Sequence, residues 1–236
     1  MEQKIKMDSR LFYGDCLDEL KKLADCSVDL IVTDPPYNIG VDYGENKDNM
    51  KDFEYQKWCI KWIKECERVL KENGSLYLIN YPENNARIFN SIDSKTHLIF
   101  RNWIVWHYPT NVGHSPKNWT RSQRSILFYT KGNRFIFNLK EGEVVEDYVE
   151  FNLVKNVSKE KQQGFPNQIP VKLLELLIGL SSNEGDIVLD PFVGSGSVPI
   201  ACLNMKRRYI GIEKEQQNLS ICQQRIKSWY DENEKK

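Results

Sequence analysis

Ser27 to Thr33 reads S-V-D-L-I-V-T, an apolar run of strand length, and it runs straight into Asp34-Pro35-Pro36-Tyr37. Two consecutive prolines fix φ and withdraw two backbone donors. A carboxylate and unspent carbonyls then stand together as acceptors, with an aromatic ring beside them. Acceptors plus a stacking face suit an exocyclic amine on a planar heterocycle. Such a nitrogen is a poor nucleophile, because its lone pair is delocalised into the ring. If Asp34 and the Pro35 carbonyl accept its two hydrogens, it can pyramidalise and recover that lone pair. Tyr37 would hold the ring by stacking, worth roughly 1–3 kcal/mol. The bland alternative is a strand-end turn that happens to carry an acid.

A second group lies at Asp190-Pro191-Phe192-Val193-Gly194-Ser195-Gly196. A short strand, Asp186 to Asp190, again feeds a glycine-bearing turn and then a helix. Such glycines let a ligand approach the backbone, and a helix start favours negative groups. About twenty residues on, Tyr209 to Ile212 leads into Glu213, placed to accept from ribose hydroxyls. The third glycine of a dinucleotide fingerprint falls at Pro199, so a nucleoside-type cofactor without a pyrophosphate fits better.

A third signal is charge. Between Asp93 and Glu141 there is no acidic residue, whereas Lys95, Arg101, Lys117, Arg121, Arg124, Lys131, Arg134 and Lys140 are basic. Aromatics are interleaved at Trp103, Trp106, Tyr108, Trp119 and Phe128. The segment 107–124 is read as a nucleic-acid-facing insertion, 165 being its widest limit, with Lys117, Trp119, Arg121 and Arg124 as contacts and the two arginines foremost for phosphate or base. The competing reading is a solvated basic face with the tryptophans in the core, which suits Trp103 and Trp106 better than Trp119. His97, His107 and His114 read as local hydrogen-bonding residues. Glu141, Glu143, Glu146, Asp147 and Glu150 read as a solvated segment facing away from the nucleic acid.

These groups need elements to hold them. Strands and helices alternate, which predicts an α/β fold with a mainly parallel sheet, doubly wound by helices on both faces. Phe53 to Lys71 has the helical spacing of apolar residues, with Gly74 as its expected cap. Further strands are expected at Ser75–Asn80 and Phe100–Trp106, and an antiparallel hairpin pairs 126–129 with 134–137 about Lys131-Gly132-Asn133. Helices are expected over 170–180, 197–205 and 216–229, with a frayed tail from Asp231. Gly40 to Asp52 is long for a connection and reads as a lid or a disordered loop.

At roughly 150 residues per domain, 236 residues suit one large α/β domain with an insertion or two small domains. The formal net charge is zero, which excludes binding of a polyanion by bulk charge. No apolar run approaches a membrane span, and the polar first ten residues do not read as a secretory signal. Cys16, Cys26, Cys59, Cys66, Cys202 and Cys222 form no C-x-x-C pair and no metal-finger spacing, so free, mostly buried thiols in a reducing cytoplasm, and no metal, are expected.

Taken together, the first two motifs resemble those of the S-adenosylmethionine-dependent amino-methyltransferases of DNA, in the permuted, β-type order. The resemblance runs from about Leu11 to Ile226. It implies a single Rossmann-like methyltransferase domain over residues 1–236 with a short DNA-facing insertion. It makes Asp34, Pro35, Pro36 and Tyr37 the catalytic tetrapeptide. Tyr13-Gly14-Asp15-Cys16-Leu17 is similar to the segment near the cofactor's adenine, with Asp15 accepting from its amine. Phe165-Pro166-Asn167-Gln168-Ile169-Pro170 resembles the family's H-P-x-Q-[KF]-P element, although Phe165 stands where His is usual and Ile169 where Lys or Phe is. With Cys16, Asp34, Asp190, Phe192, Gly194, Ser195, Gly196, Ser197 and Glu213, these residues would surround S-adenosylmethionine.

The implied reaction is direct transfer of the sulfonium methyl to nitrogen, which needs positioning more than a strong base. A paired base must be flipped to reach the site, or come from a single strand. Adenine N6 is favoured because the tetrapeptide begins with Asp; cytosine N4 is the close rival, and Ile169 resembles the apolar version common among cytosine-N4 members. No Pro-Cys dipeptide is present, which disfavours a thiolate attack on cytosine C5. An RNA or protein methyltransferase, or a non-catalytic nucleic-acid-binding subunit, are the other readings. The resemblance leaves room for a cognate restriction endonuclease and for a homodimer.

Overall fold

Val28 to Thr33 is buried at all six positions, as expected of a strand covered on both faces. This strand, β2, lies near the middle of one sheet in a computed structural model that describes residues 9–38, 50–109, 116–155, 158, 160–163, 165 and 167–233. The other strands are β1 (Arg10–Tyr13), β3 (Leu70–Asn80), β4 (Ile99–His107), β5 (Gln123–Thr130), β6 (Tyr148–Glu150), β7 (Ile187–Asp190) and β8 (Arg208–Glu213). The eight run in the order β1-β8-β7-β2-β3-β5-β4-β6, and only β5 is antiparallel to its neighbours. The expected mainly parallel, doubly wound α/β sheet is therefore present.

The period of two along each strand divides the core. From β3, Tyr77 and Ile79 enter a cluster with α4 (Val171–Ser181), α5 (Ser197–Asn204) and α6 (Gln216–Asn233). Leu76 and Leu78, between them, enter a second cluster with α1 (Cys16–Leu20), α2 (Asp52–Val69) and α3 (Pro82–Lys95). On α2 the buried set Tyr55, Cys59, Trp62, Ile63 and Cys66 repeats at three- and four-residue spacing, so one stripe faces the sheet.

Several expectations need correction. Gly74 is not a helix cap: α2 ends at Val69, Leu70 is already extended, and Gly74 lies inside β3. What Gly74 supplies is close approach, because a Cβ there would sit 2.8 Å from the Asp29 carbonyl. The 134–137 half of the expected hairpin is not a strand. Both edges of β5 are already occupied, by β3 and β4, so Phe135 and Phe137 pack on Phe128 from outside the sheet instead. The antiparallel hairpin is formed by β4 and β5. His107 and Arg124 belong to those strands, so the connection between them is 108–122, of which 110–115 lie outside the described residues. The final helix runs on to Asn233, past the expected fraying point. The segment read as a lid falls mostly within 39–49, outside the described residues, and so does His114. Among the described residues no helix is long and apolar enough to cross a membrane.

Candidate active site

The sheet builds outward in two directions from the β2–β7 pair: β3 follows on one side and β8 on the other. In open α/β sheets a ligand crevice forms at such a switch point, beyond the carboxyl ends of the strands. Four acids mark those ends here. Asp15 follows β1, Asp34 follows β2, Asp190 closes β7 and Glu213 closes β8. A cavity of about 350 Å³ opens among them, lined by Asp15, Asp34, Glu213 and their neighbours. That volume lies within the roughly 300–1,000 Å³ range of small-molecule sites.

At one end stands the tetrapeptide. The Pro36 carbonyl accepts from the Tyr55 hydroxyl at 2.7 Å, and the Tyr37 carbonyl accepts from Asn84 Nδ2. Of the two proline carbonyls, that of Pro35 has no partner among the described residues, so one rather than two is left for a substrate. Burial pushes the Asp34 carboxyl up to about 7, against the opposing pull of the Arg124 guanidinium and a hydrogen bond from the Tyr37 hydroxyl. Tyr37 is 1% exposed, with Arg124 on its ring and Tyr81 tilted against it at 4.7 Å. In this conformation the ring is covered and cannot also stack on a base.

At the other end, Glu213 accepts the Gly194 amide at 3.0 Å and the Glu215 amide at 2.8 Å. Burial raises its pKa while those amides pull it down. Gly194 and Gly196 both have positive φ, at 49° and 81°, where an L side chain is strained. A Cβ on Gly194 would come within 2.6 Å of the Phe165 ring, and one on Gly196 within 2.7 Å of Cys222 Sγ. Phe165 therefore forms cavity wall in place of the usual His. Asp15 caps α1 by accepting from the Leu17 amide at 2.9 Å and lines the cavity. The buried thiol of Cys16 is pushed up to about 12 and stays protonated.

Pro35, Pro36, Asn167 and Phe192 also line the main cavity, while Asp190, Ser195 and Ser197 line a smaller one against it. Asp190 Oδ1 accepts from the Thr33 hydroxyl and the Phe192 amide, each at 3.0 Å, and burial raises the acid to about 7. Gly196 lines neither cavity and serves as the N-cap of α5. Pro166 lies outside the described residues. Wall residues that the motifs do not single out include Tyr55, Trp58 and Asn218. Trp58 falls within the apolar helical spacing of Phe53 to Lys71, yet it packs on Phe192 with centroids 5.4 Å apart. Spacing alone carries no signal that separates it from core.

The basic residues separate. Lys117 and Arg121 are exposed, and Trp119 is 100% exposed, which removes the core reading for it. Arg121 pairs with both oxygens of Glu83, at 2.9 and 2.7 Å, and lies over the Tyr81 ring. Arg124 is 4% exposed, which takes it off the surface and removes the phosphate half of the phosphate-or-base expectation for it. Its place in β5, on the side facing Tyr37, turns it inward. Trp106 is buried in the first cluster, and Trp103, half-buried, packs against the second, on the opposite face of the sheet. His107 contacts Glu150 and Tyr148, and His97 contacts Glu67, as local partners.

A family model for DNA methylase (N6_N4_Mtase) matches residues 28–224. Type II methyltransferase M.HpaI of Haemophilus parainfluenzae is 34% identical over 241 residues, spanning 95% of this chain and 76% of that protein. Type II methyltransferase M.BamHI of Bacillus amyloliquefaciens is also 34% identical, over 93% of this chain but 57% of its own length. DNA adenine methyltransferase YhdJ of Escherichia coli is 32% identical, over 86% of this chain and 77% of its own. Among solved structures, the cytosine-N4-specific PvuII DNA methyltransferase shares the fold, with a TM-score of 0.79 at 17% identity over 95% of this chain and 92% of that one. By the family match across most of its length and by these identities, the chain belongs to the N6/N4 DNA methylase family.

Proposed function

We propose that this protein transfers a methyl group from S-adenosylmethionine to the exocyclic amine of a flipped or single-stranded base in DNA, adenine N6 in preference to cytosine N4. One observation carries the reading: a single cavity has the Asp34 and Pro35 acceptors at one end and the Glu213–Gly194 pair at the other. S-adenosylmethionine supplies a methyl already activated on sulfonium. The donor set fits it, with carboxylates for an amine and for ribose hydroxyls, and a turn whose Gly194 lets a ligand meet the backbone.

Asp34 and the Pro35 carbonyl would accept the two amine hydrogens and aim the nitrogen's lone pair along the cavity. As the amine gains positive charge, the Asp34 carboxylate would offset it, and the methylated nitrogen then sheds one proton to that carboxylate or to water. Tyr37, rotated off Arg124, would stack on the base. Glu213, Asp15 and the apolar walls from Trp58 and Phe192 would orient the donor and exclude water. No side chain has to form a covalent bond.

Asp at the head of the tetrapeptide and the likeness to the adenine methyltransferase YhdJ favour adenine; Ile169 and the cytosine-N4-specific fold neighbour keep cytosine as the second reading. Segment 108–122 would act as the target-recognition insertion, with Lys117, Trp119 and Arg121 facing the duplex. A cognate restriction endonuclease, a homodimer and residence in the cytoplasm extend the same proposal, the last supported by six free thiols. Incubating unmethylated DNA with methyl-labelled cofactor and analysing the nucleosides by mass spectrometry tests it. N6-methyladenine supports the adenine form and N4-methylcytosine selects the second; absence of label in either refutes both.

A further inference from the structure

Arg124 is a buried cation with unspent donors. Its guanidinium carbon lies 4.8 Å from the centre of the Tyr37 ring, 5.5 Å from that of Tyr81 and 5.3 Å from that of Trp106. Nη2 reaches Asn167 Oδ1 at 3.5 Å, while Nε and Nη1 are buried with no acceptor among the described residues. A guanidinium kept for structure looks different in this same fold. Arg207 gives Nε and Nη2 to Ser182 and Nη1 to the Met205 carbonyl, with every nitrogen used. Leaving charged donors unmade in a low-dielectric site is costly unless something arrives to accept them.

Two residues of the cavity wall, Tyr37 and Asn167, are the ones that touch this guanidinium from the Asp34 side. The Tyr37 ring covers Arg124 while its hydroxyl engages Asp34. One movement of that ring, into a stacking position, therefore uncovers an acceptor and a donor at the same corner.

We propose that Arg124 binds the target base itself, one of its unspent Nε or Nη1 hydrogens donating to the ring acceptor adjacent to the amine that Asp34 holds. The proposal rests on the amine-methylation reading above and extends it to base selection. Adenine presents N1 beside its amine, and cytosine presents N3 with O2 next to it. Guanine's amine is flanked by N1–H on one side and N3 on the other, so a guanine entering by its Watson–Crick edge would meet the guanidinium donor to donor. The corner thus reads an amine next to a lone pair, through one acceptor and one donor of opposite charge.

The test first maps the methylated site on unmethylated DNA, then uses duplex oligonucleotides bearing that site. In one, the target base keeps its amine but loses the neighbouring ring nitrogen, as 1-deazaadenine or 3-deazacytosine. Wild type is expected to lose about 10- to 100-fold in kcat/KM on the deaza base, the range of a hydrogen bond to a charged group. Arg124→Ala is expected to lose a similar factor on the natural base and nothing more on the analogue. Because both enzymes meet the same altered amine, its own change in reactivity cancels. If Arg124→Ala no longer binds cofactor by calorimetry, the comparison is made with Arg124→Met, which fills the space without a donor. An equal deaza penalty in wild type and variant overturns the role of Arg124 and leaves the methylation reading standing. Failure of wild type to methylate any DNA overturns both.

Discussion

The Tyr37 hydroxyl donates to Asp34 Oδ1, so the acid that must receive a substrate amine is already engaged from within its own tetrapeptide. Substrate and tyrosine compete for one carboxylate. The ring that would stack on the base is at the same time packed between Arg124 and Tyr81. Productive binding of a base therefore requires Tyr37 to leave both partners.

Tyr37 is consequently expected to matter through its ring rather than its hydroxyl. Tyr37→Phe keeps the stacking face and frees Asp34, so methyl transfer is expected to persist. Tyr37→Ala removes the face and is expected to slow transfer about 5- to 150-fold, the equivalent of 1–3 kcal/mol of stacking. Initial rates on one DNA substrate compare the two; a larger loss in Tyr37→Phe than in Tyr37→Ala would reverse the assignment.

The pH profile of kcat/KM reports the free enzyme. Asp34 offsets the charge developing on the amine only when ionised, and burial raises its pKa to about 7, so activity is expected to rise with pH and level off above 7. Asp190 also sits at about 7, and Asp190→Asn serves as the control because its amide oxygen can still accept from Thr33 and Phe192. The inflection is expected to survive in that variant. In Tyr37→Phe it is expected to move to higher pH, since the lost hydrogen bond had favoured the carboxylate. An inflection abolished by Asp190→Asn would assign it to the wrong acid.

Gly194 combines a left-handed backbone with a neighbour in the way. Alanine there carries about 1–2 kcal/mol of backbone strain, and its Cβ would press on the Phe165 ring. Gly194→Ala is expected to lower the melting temperature by a few degrees and to weaken S-adenosylmethionine binding by more than that strain alone implies, because Phe165 and the Glu213 contact shift together. Calorimetric titration that finds unchanged affinity would detach this turn from the cofactor.

The acids ending β2, β7 and β8 could be read from the sequence because each follows a run of apolar residues and precedes a proline or a helix-starting turn. The strand determines the position of such an acid, and the switch point then gathers all three. Arg124 was not legible in the same way. A lone cation in a basic stretch reads as surface, and only the pairing of β5 with both β3 and β4 turns it toward Tyr37. Helix α3 was missed because its buried positions include Asn84 and Asn85, whose amides bond to Tyr37 and Ser125, so apolar periodicity is broken where the helix supports the site. β1 and α1, of four and five residues, are too short to show a period at all.

On the outer face, Arg121 pairs with Glu83 in an exposed bridge, which is worth less than about 1 kcal/mol. Arg121→Ala is thus expected to leave stability nearly unchanged. If this side chain meets a phosphate, DNA binding weakens and the slope of log affinity against log salt falls by about one. Titrations at several salt concentrations measure it; an unchanged slope would take Arg121 out of the DNA interface.

The most direct measurement compares wild type with Asp34→Ala, scoring methylated nucleosides in DNA by mass spectrometry and cofactor affinity by calorimetry on the same preparations. Wild type is expected to yield N6-methyladenine, and the variant to bind S-adenosylmethionine with near wild-type affinity while yielding no methylated base. Comparable methylation by both proteins would contradict the role given to that carboxylate.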